Sequence, residues 1–279
     1  MQANHFKFLF QLLIMLIFVG LGLYDEKDVS VKGMESIKDS DLVYAEFYTS
    51  RLMGTSVEKL EELYDKEIVL LSREDVEVHP DWLVQAQDKK VAFLVGGDPM
   101  VSTTHLDIRL RALKMGIETR VIHSSSIVSA VSGLSGLQNY RFGRSTSVPY
   151  PYYTGGKKIV AQSPYQVVMD NIDRDLHTLL FLDIQEDRYM TVNEGSQLLL
   201  EMEMMAEKEQ LHRSLGVGVA RAGSGDARIK ADWLPNLADY DFGGPLHTLI
   251  VPAKLHFMEA EALVALAGAP PQIIEEAEF

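Results

Sequence analysis

Leu16-Ile17-Phe18-Val19 runs without a break into Gly20-Leu21-Gly22-Leu23. A short apolar run that stops on a glycine turn reads as a buried strand. The glycines after it let a backbone come close to a ligand at the strand's carboxyl end, where open α/β sheets bind. The turn lacks the third glycine of a G-x-G-x-x-G fingerprint, since Tyr24-Asp25 follows. A tight strand-to-helix turn therefore stays open as an equal reading.

Upstream of that strand the chain is apolar too. Phe8 to Leu23 is broken only by Gln11 and the glycines. As a signal peptide it has only His5 and Lys7 at its positive end and no small-residue cleavage site. As a membrane span it is short of the roughly 20 residues needed. Residues 1–14 are accordingly expected to be an N-terminal extension, with a membrane anchor as the alternative.

Downstream, strand-like and helix-like runs alternate, the pattern of a parallel α/β fold. The strand runs are Leu42–Phe47, Ile68–Leu71, Val91–Val95 and Arg120–His123. Between them, Val29–Lys38, Ser56–Asp65 and Thr104–Met115 carry helical spacing, the last with Leu106, Leu110 and Leu113 expected to face inward. Residues 143–163 hold Pro149, Pro151, Gly155 and Gly156 and read as partly loop. The alternation then restarts with a helix at Tyr165–Asp175 and a strand at Thr178–Ile184. Thr191-Val192-Asn193-Glu194 has the form of a capping box and opens a helix through Met205. Strands at Gly216–Ala220 and His247–Val251 and a helix at Glu259–Ala267, stopped by Gly268, complete the chain. The expected architecture is α/β with two lobes, residues 15–123 and 124–279.

Composition narrows the function. The 279 residues carry a formal net charge of −14. Phosphate binding needs clustered Lys and Arg, so a nucleic-acid partner is not expected. The absence of cysteine removes disulfides, thiolate metal ligands and cysteine nucleophiles. The eight histidines form no H-E-x-x-H pattern, no G-x-S-x-G elbow is present, and no metal is expected.

Further strand ends carry candidate chemistry. Gly97-Asp98-Pro99 offers a carboxylate to a ligand's amine or hydroxyls, or a plain Asx turn. His123-Ser124-Ser125-Ser126-Ile127 offers hydroxyls and amides, or simple helix capping by Ser126. Arg221-Ala222-Gly223-Ser224 and Pro245-Leu246-His247 flank two late strands, where a histidine is more often satisfied structure than a ligand contact.

Together these stretches resemble the diphthine synthase family, in its archaeal form. Phe18 through Glu26, Ala45-Glu46-Phe47-Tyr48-Thr49-Ser50 and Leu71-Ser72-Arg73-Glu74-Asp75-Val76-Glu77 carry the likeness. So do Gly97-Asp98-Pro99 with Thr103-Thr104-His105, the Val121–Ile127 stretch, Leu176–Ile184 and Ala220–Ser224. The likeness covers roughly Met15 to Ala269 and departs at Gly96, before Met15 and over Pro149–Ser163.

The resemblance implies membership of the tetrapyrrole-methylase superfamily: two α/β lobes, S-adenosyl-L-methionine in the cleft between them, S-adenosyl-L-homocysteine as product, and a cytoplasmic homodimer. Carried over motif by motif, the donor contacts are Leu23, Asp98, Val101, Ser126, Ile127, Leu182, Ala222 and His247. The implied reaction is successive N-methylation of 2-(3-carboxy-3-aminopropyl)-histidine on translation elongation factor 2, in diphthamide biosynthesis. Asp98, Tyr48 and His123 are acceptor-side candidates, and no catalytic base is assigned. The alternatives are a precorrin-type small-molecule methyltransferase, which the matches over residues 45–50 and 72–77 disfavour, and a non-catalytic cofactor-binding protein.

Overall fold

The computed structural model describes residues 14–185 and 188–277. The expected extension over residues 1–14 lies, apart from Ile14, outside the described residues. The chain forms two compact units that part between Ile127 and Val128.

The first unit runs β1 (Met15–Gly20), α1 (Val31–Lys38), β2 (Leu42–Glu46), α2 (Val57–Tyr64), β3 (Ile68–Leu70), α3 (Arg73–Glu77), β4 (Lys90–Val95), α4 (His105–Lys114) and β5 (Thr119–Ile122). A 3-10 helix, Asp81–Gln87, precedes β4. The five strands are all parallel, in the order β3-β2-β4-β1-β5. Successive strand side chains point to opposite faces, and here both faces are covered. Ile17, Val19, Ala92 and Leu94 pack with Ile37 of α1 and with Leu60 and Tyr64 of α2. Leu16, Phe18, Val91, Phe93 and Val95 pack with Trp82 and Leu83 and with Ile108 and Ala112 of α4. That is why the opening run has no polar alternation. Each of Leu16, Ile17, Phe18 and Val19 is fully buried, worth about 1.5–3 kcal/mol relative to exposure. The two helices α1 and α2 start on Ser30 and Ser56, whose side chains accept amide hydrogens of the first turn.

One helix face differs from expectation. Leu106, Leu110 and Leu113 of α4 are exposed, and the buried positions are His105, Ile108 and Ala112. Both stripes have helical spacing. Leucine is the more apolar candidate, but the inward stripe sits on the bulky Trp82–Phe93 stack, 5.1 Å between ring centroids, and the compact Ala112 lies on that side.

The second unit runs α5 (Ile127–Ser135, which straddles the boundary), β6 (Thr146–Val148), β7 (Tyr152–Thr154), β8 (Lys157–Ile159), α6 (Ser163–Ile172), β9 (Thr178–Leu182), β10 (Ile184–Gln185), β11 (Arg188–Tyr189), α7 (Val192–Met205), β12 (Leu215–Ala220), β13 (Arg228–Trp233), α8 (Leu234–Leu237), β14 (His247–Val251) and α9 (Phe257–Ala267). Its main sheet has the order β13-β12-β14-β9-β6. Here the expected parallel alternation is corrected. Only β6 and β9 pair in parallel, while β13-β12, β12-β14 and β14-β9 are antiparallel. The short link from β12 to β13, residues 221–227, has room for a turn but not for a crossover helix.

The stretch read as partly loop contains a hairpin. β7 and β8 pair antiparallel across Gly155-Gly156, whose φ values are 56° and 76°. Two consecutive positive φ angles are what a tight two-residue hairpin turn requires. The capping box at the start of α7 is present, with Thr191 and Glu194 bonded reciprocally.

Candidate functional site

In the first unit β1 lies between β4 and β5, so the loops leaving their carboxyl ends are neighbours. These loops are Gly20–Leu23, Gly96–Val101 and His123–Ser126, the three stretches singled out in the sequence. Backbone bonds join the first two: the Gly97 amide donates to the Gly22 carbonyl at 2.7 Å, and the Gly22 amide donates back at 3.3 Å. A Cβ on Gly20 would stand 2.6 Å from the Gly97 carbonyl oxygen and 2.8 Å from Cβ of Ser124. Three loops meet there with no room for a side chain.

Asp98 is the organising residue. It is buried, and its Oδ1 accepts the Met100 amide at 3.0 Å, an Asx turn. Its Oδ2 accepts the Ser124 amide at 3.3 Å and lies 2.8 Å from Nδ1 of His123. A carboxylate accepts, so Nδ1 carries the hydrogen toward it and Nε2 of the exposed His123 ring faces outward. Asp98 thus makes the Asx turn, and it also ties the β4 loop to the β5 loop.

The other first-unit positions form the rim of this corner. Leu23, Val101 and Ile127 are half-buried and Ser126 is buried. Leu23 is held by a residue the sequence reading passed over. Oδ2 of Asp28 accepts the amides of Leu23 and Tyr24 at 3.1 and 2.7 Å. An acid five residues beyond a glycine turn was the available signal. Gly97 has φ +73°, and a Cβ added there would meet nothing within 4 Å. Its backbone borders open space, a cradle suited to a ligand that is held by main-chain groups and apolar rims.

Tyr48 leaves β2 on the neighbouring side of β4. Its ring lies 4.9 Å below the Arg73 guanidinium. Its hydroxyl is buried without a well-aligned hydrogen-bond partner among the described residues, and burial with the nearby Glu46 and Glu77 carboxylates pushes its pKa up. It is poorly suited to act as a base.

The three second-unit positions also come together. Leu182 ends β9, His247 opens β14 beside it, and Ala222 follows β12, whose Ala220 pairs with His247. His247 is buried and doubly engaged. Its Nε2–H donates to the Gly244 carbonyl at 2.9 Å, and its Nδ1 accepts the Val192 amide at the start of α7 at 3.2 Å. Burial lowers its pKa, against a partial offset from the Gly244 and Gly243 carbonyls. The expected bland reading of a satisfied histidine fits these bonds. Next to it, the Arg221 guanidinium donates to the carbonyls of Phe242 and Gly244, both at 2.8 Å, and pins the loop before β14.

Among the described residues no group of three or more His, Asp or Glu side chains is placed to hold a metal ion. None of the described helices is long and apolar enough to cross a membrane.

A parallel sheet with a glycine corner at three adjoining carboxyl ends, followed by a mixed sheet, defines a class. The sequence profile of the tetrapyrrole (corrin/porphyrin) methylases matches residues 15–234. The chain belongs to that family of S-adenosylmethionine-dependent methyltransferases, and within it to the diphthine synthases. It is 59% identical over 266 residues to the diphthine synthase of Methanosarcina acetivorans, covering 95% of this chain and all of the relative. It is 58% identical over 264 residues to that of Methanococcoides burtonii, covering 94% and 99%. A crystal structure of a diphthine synthase superposes with a TM-score of 0.87 at 44% identity, covering 94% of this chain and all of that one.

Proposed function

We propose that the chain N-methylates, in successive rounds, the amino group of 2-(3-carboxy-3-aminopropyl)-histidine on translation elongation factor 2. The observation that carries this reading is the likeness, over nearly all of its length, to relatives named diphthine synthase. Bound S-adenosylmethionine supplies a methyl on a sulfonium sulfur, so the carbon needs no further activation. We assign its contacts to Leu23, Asp98, Val101, Ser126, Ile127, Leu182, Ala222 and His247. The open backbone at Gly97 supports that assignment in the first unit.

The acceptor nitrogen must present a free lone pair. An α-amino group has a pKa of about 8, so roughly a tenth is neutral near pH 7, and desolvation enlarges that share. Held by these residues, the donor would offer its methyl to that lone pair, and its sulfur would keep the electron pair of the C–S bond. The ammonium product then gives up a proton before the next round. We assign His123, oriented by Asp98 with Nε2 outward, as the residue that receives it. Positioning carries much of the remainder.

The exposed stripe Leu106, Leu110 and Leu113 supports a homodimer, because contiguous apolar surface marks an interface. A cytoplasmic site of action follows from the proposed acceptor.

Purified protein with labelled S-adenosylmethionine should transfer label to elongation factor 2 carrying the aminocarboxypropyl-histidine. Label on a precorrin and none on the factor would overturn the reading. Asp98→Ala should weaken donor binding by calorimetry, and unchanged affinity removes Asp98 from the site.

A further inference from the structure

Two motifs of the first unit, Ala45–Ser50 and Thr103–His105, are not used by the donor corner, and the structure joins them through a buried pair. Glu46, the last residue of β2, and His105, the first residue of α4, are both fully buried. Nε2 of His105 lies 3.3 Å from Oε1 of Glu46. It has no aligned hydrogen-bond partner among the described residues, so the contact is one of proximity.

What each member holds is the informative part. Glu46 accepts the amides of Tyr48 and Thr49 at 3.0 and 3.1 Å, and also the Thr49 hydroxyl. It shapes the turn that leaves β2. His105 donates from Nδ1 to the Pro99 carbonyl at 3.0 Å, and Thr103 donates its hydroxyl to the same oxygen at 3.1 Å. That carbonyl belongs to the Asp98–Pro99 turn that leaves β4. The two turns also touch directly: a Cβ on Gly96 would stand 3.0 Å from the Ser50 carbonyl oxygen. The His105 ring packs in a T-shaped pair with Phe93, 5.1 Å between centroids, which fixes its plane.

A buried pair of this kind is weak support for stability, since apolar residues of the same volume serve as well or better. Apart from each other, both members bond to turn backbone and turn hydroxyls.

We propose that Glu46 and His105 are positioning residues that hold the Tyr48–Thr49 turn and the Asp98–Pro99 turn in one register for methyl transfer. The inference rests on the proposed reaction, in which Asp98 serves the donor, and on Tyr48 of the β2 turn as an acceptor-side candidate. Neither residue touches a reactant. Their effect is on the distance and angle between the turns that do.

The test uses the full chain with His105→Gln, Glu46→Gln and the double variant. Each single variant should lower kcat roughly 100-fold while donor affinity by calorimetry stays within about threefold, the pattern of an interaction that matters only at the transition state. The double variant should be no slower than the slower single. Amide hydrogen exchange should also cross the pair. His105→Gln should speed exchange at Tyr48 and Thr49, and Glu46→Gln should speed it at Met100. Additive losses in the double variant, or exchange changes confined to the turn the altered residue itself touches, overturn the proposal. Wild type that leaves the elongation factor unmethylated overturns the reaction instead, and exchange alone then decides the coupling. If His105→Gln does not fold, Thr49→Val with Glu46→Gln replaces it. Unchanged kcat in both overturns the proposal, and a shared loss with retained donor affinity supports it.

Discussion

Each unit buries a glutamate against a histidine, and the two pairs are wired differently. In the second unit Glu259, within α9, accepts from Nε2 of His177 at 3.0 Å, from the Gln138 amide at 2.8 Å, from Arg141 at 2.5 Å and from the His256 amide at 3.0 Å. The remaining nitrogen of His177 accepts the Ala253 amide at 3.1 Å. Every group has a partner, and the partners lie on segments far apart in sequence. In the first unit Glu46 and His105 meet at 3.3 Å without an aligned bond and serve two adjacent turns. The same two residue types therefore give a saturated rivet in one place and a looser link in the other. Saturation goes with architecture, and slack goes with the two turns that adjoin the ligand corner.

The largest expected effect breaks the rivet. Glu259→Ala should cost about 3–5 kcal/mol, because it strips the fully buried His177 and the half-buried Arg141 of their shared partner. Urea unfolding followed by circular dichroism measures it. At a temperature where the variant is still folded, its kcat should be near that of wild type. A loss of turnover like that of His105→Gln would erase the distinction between the pairs.

The second expectation is a pH dependence of the same residue. Burial alone would raise the Glu259 carboxyl, but His177 and the Gln138 and His256 amides outweigh it and hold it at about 2, against 4.5 ordinarily. A depressed acid contributes fully above the unfolded value. Its contribution should thus be complete above pH 4.5 and fade as the pH falls toward 2. Unfolding midpoints across that window should drop steeply in wild type, and less so in Glu259→Gln.

Third, Gly20→Ala should strain the glycine corner by roughly 1–3 kcal/mol, the usual cost of overpacking, since its Cβ meets the Gly97 carbonyl and Ser124. Donor affinity should fall with it. A variant as stable and as tight as wild type would mean that the corner is slack as well. Fourth, burial lowers the pKa of His247, so this group favours unfolding as the pH falls below 6.5. His247→Gln should flatten the stability profile just below that value. Last and smallest, Leu106→Ser with Leu110→Ser should change stability by no more than about 0.5 kcal/mol, as for exposed positions. Sedimentation should show the dimer weakened. A large loss of stability would mean that this face is buried within one chain.

Much of this was legible in the sequence, and the exceptions share a cause. The run Leu16–Val19 announced a doubly covered parallel strand because no polar residue interrupts it. The capping box at Thr191 announced α7 because both of its bonds are local. The strand-end motifs at Gly20, Gly97 and His123 were visible as motifs, but their meeting depends on β1 lying between β4 and β5, a non-local fact. The inward face of α4 was misjudged because two stripes share one period and only the tertiary neighbours choose between them. The antiparallel pairing of β12, β14 and β9 was missed for the same reason: apolar runs mark strands without marking direction. The Tyr152–Ile159 hairpin carried its signal in Gly155-Gly156, outweighed in the reading by the flanking prolines.

The place of β1 in the sheet also has a consequence for the nascent chain. Its partners are β4, in register from Lys90, and β5, from Thr119. At a synthesis rate of 5–20 residues per second, the first partner emerges roughly 4 to 15 seconds after β1, and the second later still. Throughout that interval a segment of wholly apolar side chains has neither of its two strand partners. The arrangement that gathers three distant loops around one ligand corner thus postpones completion of that corner until β5 has been made.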